Sequence, residues 1–209
     1  MRTNVAAAVR LMLVTDDHFV AGRDLLMLAR AAVRGGVTSV QLRLKEASPR
    51  RLVEAARALV AAVPVPVIVN DRPDVAVAAG AAGVHLGPGD VPPRLARRVL
   101  PPGSIVGASV GTDADVLIAG DADYWGIGPW GATATKSDAG SALGATRFAA
   151  LVRAAGGRPC IAVGGVVPAD LPLILESGGT GAAVVSGILG AADVEQAARR
   201  YARALERPA

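Results

Sequence analysis

The sequence predicts an α/β protein, a single-domain closed (β/α)8 TIM barrel occupying residues 1–209. Three observations predict it. Short apolar runs followed by amphipathic helical segments recur eight times along 209 residues, at about 26 residues per unit. Hydrophobic residues make up 52% of the chain but aromatics only 3%, so the core is built from closely packed Ala, Val, Leu and Ile, which suits a parallel sheet sheathed by helices. Polar residues collect just after the apolar runs, whereas the turns leading into them hold mainly Gly, Ala and Pro. An open doubly wound sheet is the alternative architecture.

Residues 11–15 form the first apolar run and end in a polar loop at Asp16 and Asp17. A helix over 23–34 follows, with Leu25, Leu28, Ala29, Ala32 and Val33 on one face and Gly35-Gly36 as its stop. The second strand is 39–44. Ser48 then caps a helix with Pro49 in its first turn and a stripe of Leu52, Ala56, Leu59 and Val63. Strand three is 65–69, followed by an alanine-rich helix over 73–80, and strand four is 83–86.

A short helix over 92–100 leads to strand five at 105–109, after which Thr112 or Asp113 caps the next helix. Strand six opens at Tyr124 and breaks at Gly128-Pro129. Then come a helix at 145–155, strand seven at 160–163, a helix at 168–177, strand eight at 182–185 and a last helix at 193–205. In that last helix Asp193 and Gln196 form a capping box, and Val194, Ala197, Ala198, Tyr201 and Leu205 face inward.

The formal charge is +4, from 22 Lys+Arg against 18 Asp+Glu, and Lys45 and Lys136 are the only lysines. This modest excess fits small anionic ligands better than nucleic acid, which calls for clustered cations interleaved with aromatics. The arginine pairs lie in helical segments and read as solvated faces. Cys160 sits in an apolar run and reads as an inert thiol. The absence of a leader pattern or a membrane-length apolar run makes a soluble, cytoplasmic chain the expectation. Oligomeric state stays open, a homodimer included.

In a barrel of this kind, residues that follow the strands converge at one rim. Those positions here are Gln41, Arg43 and Lys45, then Asn70 and Asp71, Asp90, Ser109, residues 133–136, Gly164-Gly165 and Ser186-Gly187. Thr133, Thr135 and Lys136 offer hydroxyls and a flexible cation suited to an oxyanion. The glycines after strands seven and eight suit either a monophosphate or plain tight turns. Asp71 and Asp90 at neighbouring strand ends suit Mg²⁺ shared with substrate phosphates, or act singly as caps. With Arg43 and both lysines the rim carries more positive charge than a monophosphate requires, and a pyrophosphate with magnesium accounts for it. His85, inside the run Val84-His85-Leu86, reads as a hydrogen-bonded core histidine.

The segments VQLRLK (40–45), VNDR (69–72), GVHLGPGD (83–90), GAS (107–109), GIGPWGATATKSDA (126–139), AVGGV (162–166) and VVSGI (184–188) resemble, in order and over nearly the whole chain, the thiamine phosphate synthase family. The resemblance implies a barrel enzyme that joins a hydroxymethylpyrimidine pyrophosphate to a thiazole phosphate and releases pyrophosphate. It implies that Gln41, Arg43, Lys45, Asn70 and Lys136 hold the diphosphate substrate, that Ser109 contacts the pyrimidine, and that Asp71 and Asp90 hold Mg²⁺. Thr133, Thr135, Gly165, Val185 and Ser186 are implied to take the thiazole phosphate. The implied mechanism is dissociative and needs no protein base, with Lys136, Lys45 and Arg43 stabilising the leaving group.

The sequence departs from the family pattern at Gly131-Ala132, where Phe-Pro is usual, at Leu44 in place of Glu and at Gly111 in place of His. A tautomerase-like subgroup lacking the pyrophosphate and metal residues, and a non-catalytic phosphate-ligand regulator, are the alternative readings.

Overall fold

The computed structural model describes residues 4–132 and 141–206, and its eight parallel strands close in chain order. They are β1 (Leu11–Val14), β2 (Ser39–Leu42), β3 (Val67–Asn70), β4 (Gly83–Leu86), β5 (Ile105–Val110), β6 (Tyr124–Ile127), β7 (Cys160–Val163) and β8 (Gly181–Val184). Leu13 of β1 lies opposite Val40 of β2 on one side and Val184 of β8 on the other. That pairing leaves no open edge, so the doubly wound alternative falls away.

The helices are α1 (Val5–Ala8), α2 (Asp17–Val20), α3 (Leu25–Arg34), α4 (Pro49–Ala62), α5 (Pro73–Ala79), α6 (Pro93–Ala96), α7 (Asp113–Ile118), α8 (Gly144–Ala154), α9 (Leu171–Glu176), α10 (Ser186–Leu189) and α11 (Val194–Glu206). Their starts follow local chemistry. Asp24 accepts from the amides of Leu26 and Met27 at α3, Ser48 precedes Pro49 at α4, and Thr112 and Asp115 form a reciprocal capping box at α7.

Period-two alternation divides the strand side chains between two cores. Leu11, Leu13, Val40, Leu42, Val67, Val69, Val84, Leu86, Trp125 and Ile127 point outward and join the buried faces of the helices. Met12, Val14, Ile68, Ile105, Tyr124, Ile161 and Ala183 fill the barrel, where Ala8 and Val9 at the end of α1 pack against them. The same alternation puts Gln41, Asn70, His85 and Ser109 on the inward register.

Several boundaries differ from the sequence expectation for identifiable reasons. Strand three begins at Val67 rather than 65 because Pro66 has no N–H for the ladder. Strand two stops at Leu42 because the Arg43 amide donates to Thr15 Oγ1 and the Lys45 amide to Asp17 Oδ2, side chains that replace a neighbouring strand. Strand eight runs from Gly181 to Val184, and Val185 already turns toward α10 with φ −111° and ψ −86°. The helix expected over 23–34 is shorter, because Asp24 is its cap, and a separate short α2 holding His18 precedes it.

The helix expected over 92–100 is confined to Pro93–Ala96, and a turn of 3-10 helix precedes α9. In α11 all five residues expected to face inward are buried, and Asp193 Oδ1 accepts from the Gln196 amide. Cys160 is a buried free thiol whose pKa burial pushes up to about 12, which makes it a packing residue.

Candidate active site

A cavity of about 960 Å³ opens at the C-terminal ends of the strands. Gln41, Arg43, Lys45, Asn70, Asp71, Asp90, Ser109, Gly165, Val185 and Ser186, all singled out from the sequence, line it. Thr133, Thr135 and Lys136 lie outside the described residues. No helix among the described residues is long and apolar enough to cross a membrane.

One side of the cavity is electrostatically polarised. Asp71 follows β3 in the left-handed region, φ 63°, and its amide donates to the His85 carbonyl of β4 at 2.8 Å. Asp90 is held by its own turn, where Oδ2 accepts from the Gly87 amide at 2.6 Å. The two carboxyl groups face each other within hydrogen-bonding reach. Burial first, and then the hydrogen bond and charge of Asp90, push the Asp71 pKa up to about 6, while Lys45 and Arg43 pull it the other way.

A raised carboxyl beside a second carboxylate is a pair that a divalent cation would relieve. Among the described residues no group of three or more His, Cys, Asp or Glu side chains gathers as a metal site. Two carboxylates alone leave most positions of a six-coordinate ion to water or substrate oxygens.

Arg43 is less available than the sequence suggests. Its Nη1 lies 2.8 Å from Asp16 Oδ2, and both side chains are mostly buried. The excess positive charge expected at this rim is therefore partly offset, a pairing across 27 positions that no local pattern reveals. Lys45 is exposed, with its backbone fixed by Asp17.

His85 was missed as a site residue, although it is hydrogen-bonded as expected. Nδ1 lies 2.9 Å from the Tyr124 hydroxyl and Nε2 3.0 Å from Ser109 Oγ, so a polar chain runs from the barrel interior to the cavity. Gly107 leaves the room that the Tyr124 ring occupies. The signal was in the alternation: between outward Val84 and Leu86, His85 must point inward.

The opposite side is backbone-rich. Gly164 and Gly165 take φ 86° and 69°, and a Cβ on Gly165 would lie 2.5 Å from the Ala132 carbonyl oxygen. The amides of Trp130 and Gly131 donate to the carbonyls of Val163 and Gly164, each at 2.9 Å, so the loop leaving β6 is tied to the loop leaving β7. The unusual Gly131 thus contributes a backbone bond. Gly111 lines the cavity and donates to Asp115 Oδ2, while Leu44 borders a smaller cavity of about 260 Å³ beside Lys45 and Asp71.

Residues 11–188 match the family model described as thiamine monophosphate synthase. The chain belongs to that family. It is 50% identical over 194 residues to the thiamine-phosphate synthase of Xanthobacter autotrophicus, covering 90% of this chain and 92% of the relative. Identity to the thiamine-phosphate synthase of Azorhizobium caulinodans is 45% over 201 residues, 94% of each chain. Among solved structures, the thiamine phosphate pyrophosphorylase of Pyrococcus furiosus superposes with a TM-score of 0.86 at 31% identity, covering 97% of this chain and 98% of that one. This thiamine monophosphate synthase family member therefore shares fold and near-complete length with its relatives.

Proposed function

We propose that this chain is a magnesium-dependent transferase that joins 4-amino-5-hydroxymethyl-2-methylpyrimidine pyrophosphate to 4-methyl-5-(2-hydroxyethyl)thiazole phosphate, giving thiamine phosphate and pyrophosphate. The observation that carries the reading is one cavity with a facing carboxylate pair beside cationic side chains on one side and a glycine-built loop on the other. Family membership supports the same reaction.

In this reading Gln41, Arg43, Lys45 and Asn70 bind the diphosphate substrate, joined by Lys136, and Ser109 contacts its pyrimidine. Asp71 and Asp90 hold Mg²⁺, which when bound would neutralise charge on the diphosphate oxygens and favour their departure. Arg43, oriented by Asp16, and Lys45 stabilise the same growing charge. The pyrophosphate departs before the thiazole nitrogen bonds to the pyrimidine methylene carbon, so no protein nucleophile or base is needed.

Gly165, Val185 and Ser186, with Thr133 and Thr135, bind the monophosphate and aim the thiazole at that carbon. His85 fixes the Ser109 hydroxyl through its second hydrogen bond, to Tyr124.

The test supplies the purified protein with both substrates and Mg²⁺. Thiamine phosphate and pyrophosphate in equal amounts over many turnovers support the reading. Unchanged substrates under those conditions count against it.

A further inference from the structure

Tyr201 on α11 lies outside the strand-end segments that supply the other site residues, yet it lines the cavity while only 3% exposed. Its hydroxyl donates to the Val166 carbonyl oxygen at 2.9 Å. The adjoining amide, Val167 N–H, donates to Asp170 Oδ2 at 2.8 Å. These two groups belong to the same planar peptide unit, so its rotation is blocked from both sides. That unit immediately follows Gly164 and Gly165, which take positive φ and, having no Cβ, restrict the backbone little by themselves.

The same hydroxyl also touches the other half of the backbone-rich side. A Cβ placed on Gly187 would collide with the Tyr201 hydroxyl oxygen, so the first turn of α10, directly after β8, packs on the phenol. One oxygen therefore meets both the loop after β7 and the start of α10. Burial holds the phenol neutral and able to donate, because its pKa is pushed upward.

We infer that Tyr201 is a positioning residue that sets the spacing between the loop after β7 and the start of α10 after β8, and thereby the affinity for the phosphate monoester substrate. The inference rests on the proposed function for which molecule carries that phosphate. Tyr201 touches no reacting atom in this account. Its effect is confined to one substrate and spares the diphosphate side of the cavity.

The test compares wild type with Tyr201→Phe, which keeps the ring and deletes the oxygen. Steady-state kinetics should show KM for the thiazole phosphate raised about fivefold, as loss of one neutral hydrogen bond implies. KM for the pyrimidine diphosphate and kcat at saturation should stay within about twofold. Calorimetry with the thiazole phosphate alone should show the same weakening without turnover. Asp170→Ala, which releases the other side of the same peptide, should reproduce the selective effect, and the double variant should add little to either single change.

An unchanged KM for the thiazole phosphate, or equal rises in both KM values, overturns the role of Tyr201. A wild-type protein that binds no thiazole phosphate overturns the functional reading as well, so the two failures are distinguishable.

Discussion

Asp71 and Asp90 face each other from the ends of β3 and β4, and the burial of Asp71 together with this neighbour raises its pKa to about 6. The sign of the consequence is fixed by linkage. An acid whose folded pKa lies above its ordinary value of 3.8 favours the fold in its protonated form. That contribution is complete below the unfolded pKa and disappears as pH rises through the folded one. Without metal, Asp71→Asn should therefore stabilise the protein at pH 7.5 by about 1 kcal/mol, after discounting for solvent screening, and by much less at pH 4. Thermal melts at the two pH values check it. Asparagine is the informative replacement, because it tolerates the left-handed backbone at this position and alanine adds strain.

The same substitution should be costly to turnover. Asp71→Asn and Asp90→Asn each remove a charged oxygen ligand, and each should lower kcat/KM at least about a hundredfold, a barrier change of roughly 3 kcal/mol. Chelation of divalent metal should abolish wild-type activity, and added Mg²⁺ should restore it. Activity that survives exhaustive chelation would contradict the role given to the pair.

Gly165 has both a positive φ and no room for a side chain. Gly165→Ala should destabilise the fold by about 1–3 kcal/mol and raise KM for the thiazole phosphate about tenfold, with a smaller effect on the pyrimidine substrate. Denaturant unfolding and two-substrate kinetics measure the two effects separately. A variant with normal thiazole phosphate kinetics would remove this loop from the phosphate site.

His85 joins Tyr124 to Ser109, so His85→Phe deletes two buried or half-buried hydrogen bonds while keeping a ring of similar shape. Stability should fall by about 2 kcal/mol, and KM for the pyrimidine diphosphate should rise more than KM for the thiazole phosphate. Ser109→Ala should reproduce the kinetic effect with less loss of stability. Equal effects on both substrates would assign His85 to packing alone.

The barrel was legible in the sequence because each strand-helix unit carries its own period and stop signals. Leu28, Ala29 and Ala32 of α3, or Val194 to Leu205 of α11, announce a buried face through spacing alone. Four-residue helices such as α1, α2 and α10 are too short to show a period, and they were not anticipated. The converging rim was legible too, since strand ends meet in a closed barrel.

What stayed hidden were partnerships set by closure rather than by neighbours in sequence. Asp16 pairs with Arg43, His85 bridges Tyr124 and Ser109, and Tyr201 reaches Val166, all through tertiary approach. Each involves residues whose type alone fits an ordinary loop or core position.

The most direct test of the account is calorimetric titration of the pyrimidine diphosphate into the protein, with and without Mg²⁺, in wild type and Asp90→Asn. Binding should be strengthened at least about tenfold by Mg²⁺ in the wild type, with no such strengthening in the variant. Equal affinity with and without the metal, or a full magnesium effect in Asp90→Asn, would contradict it.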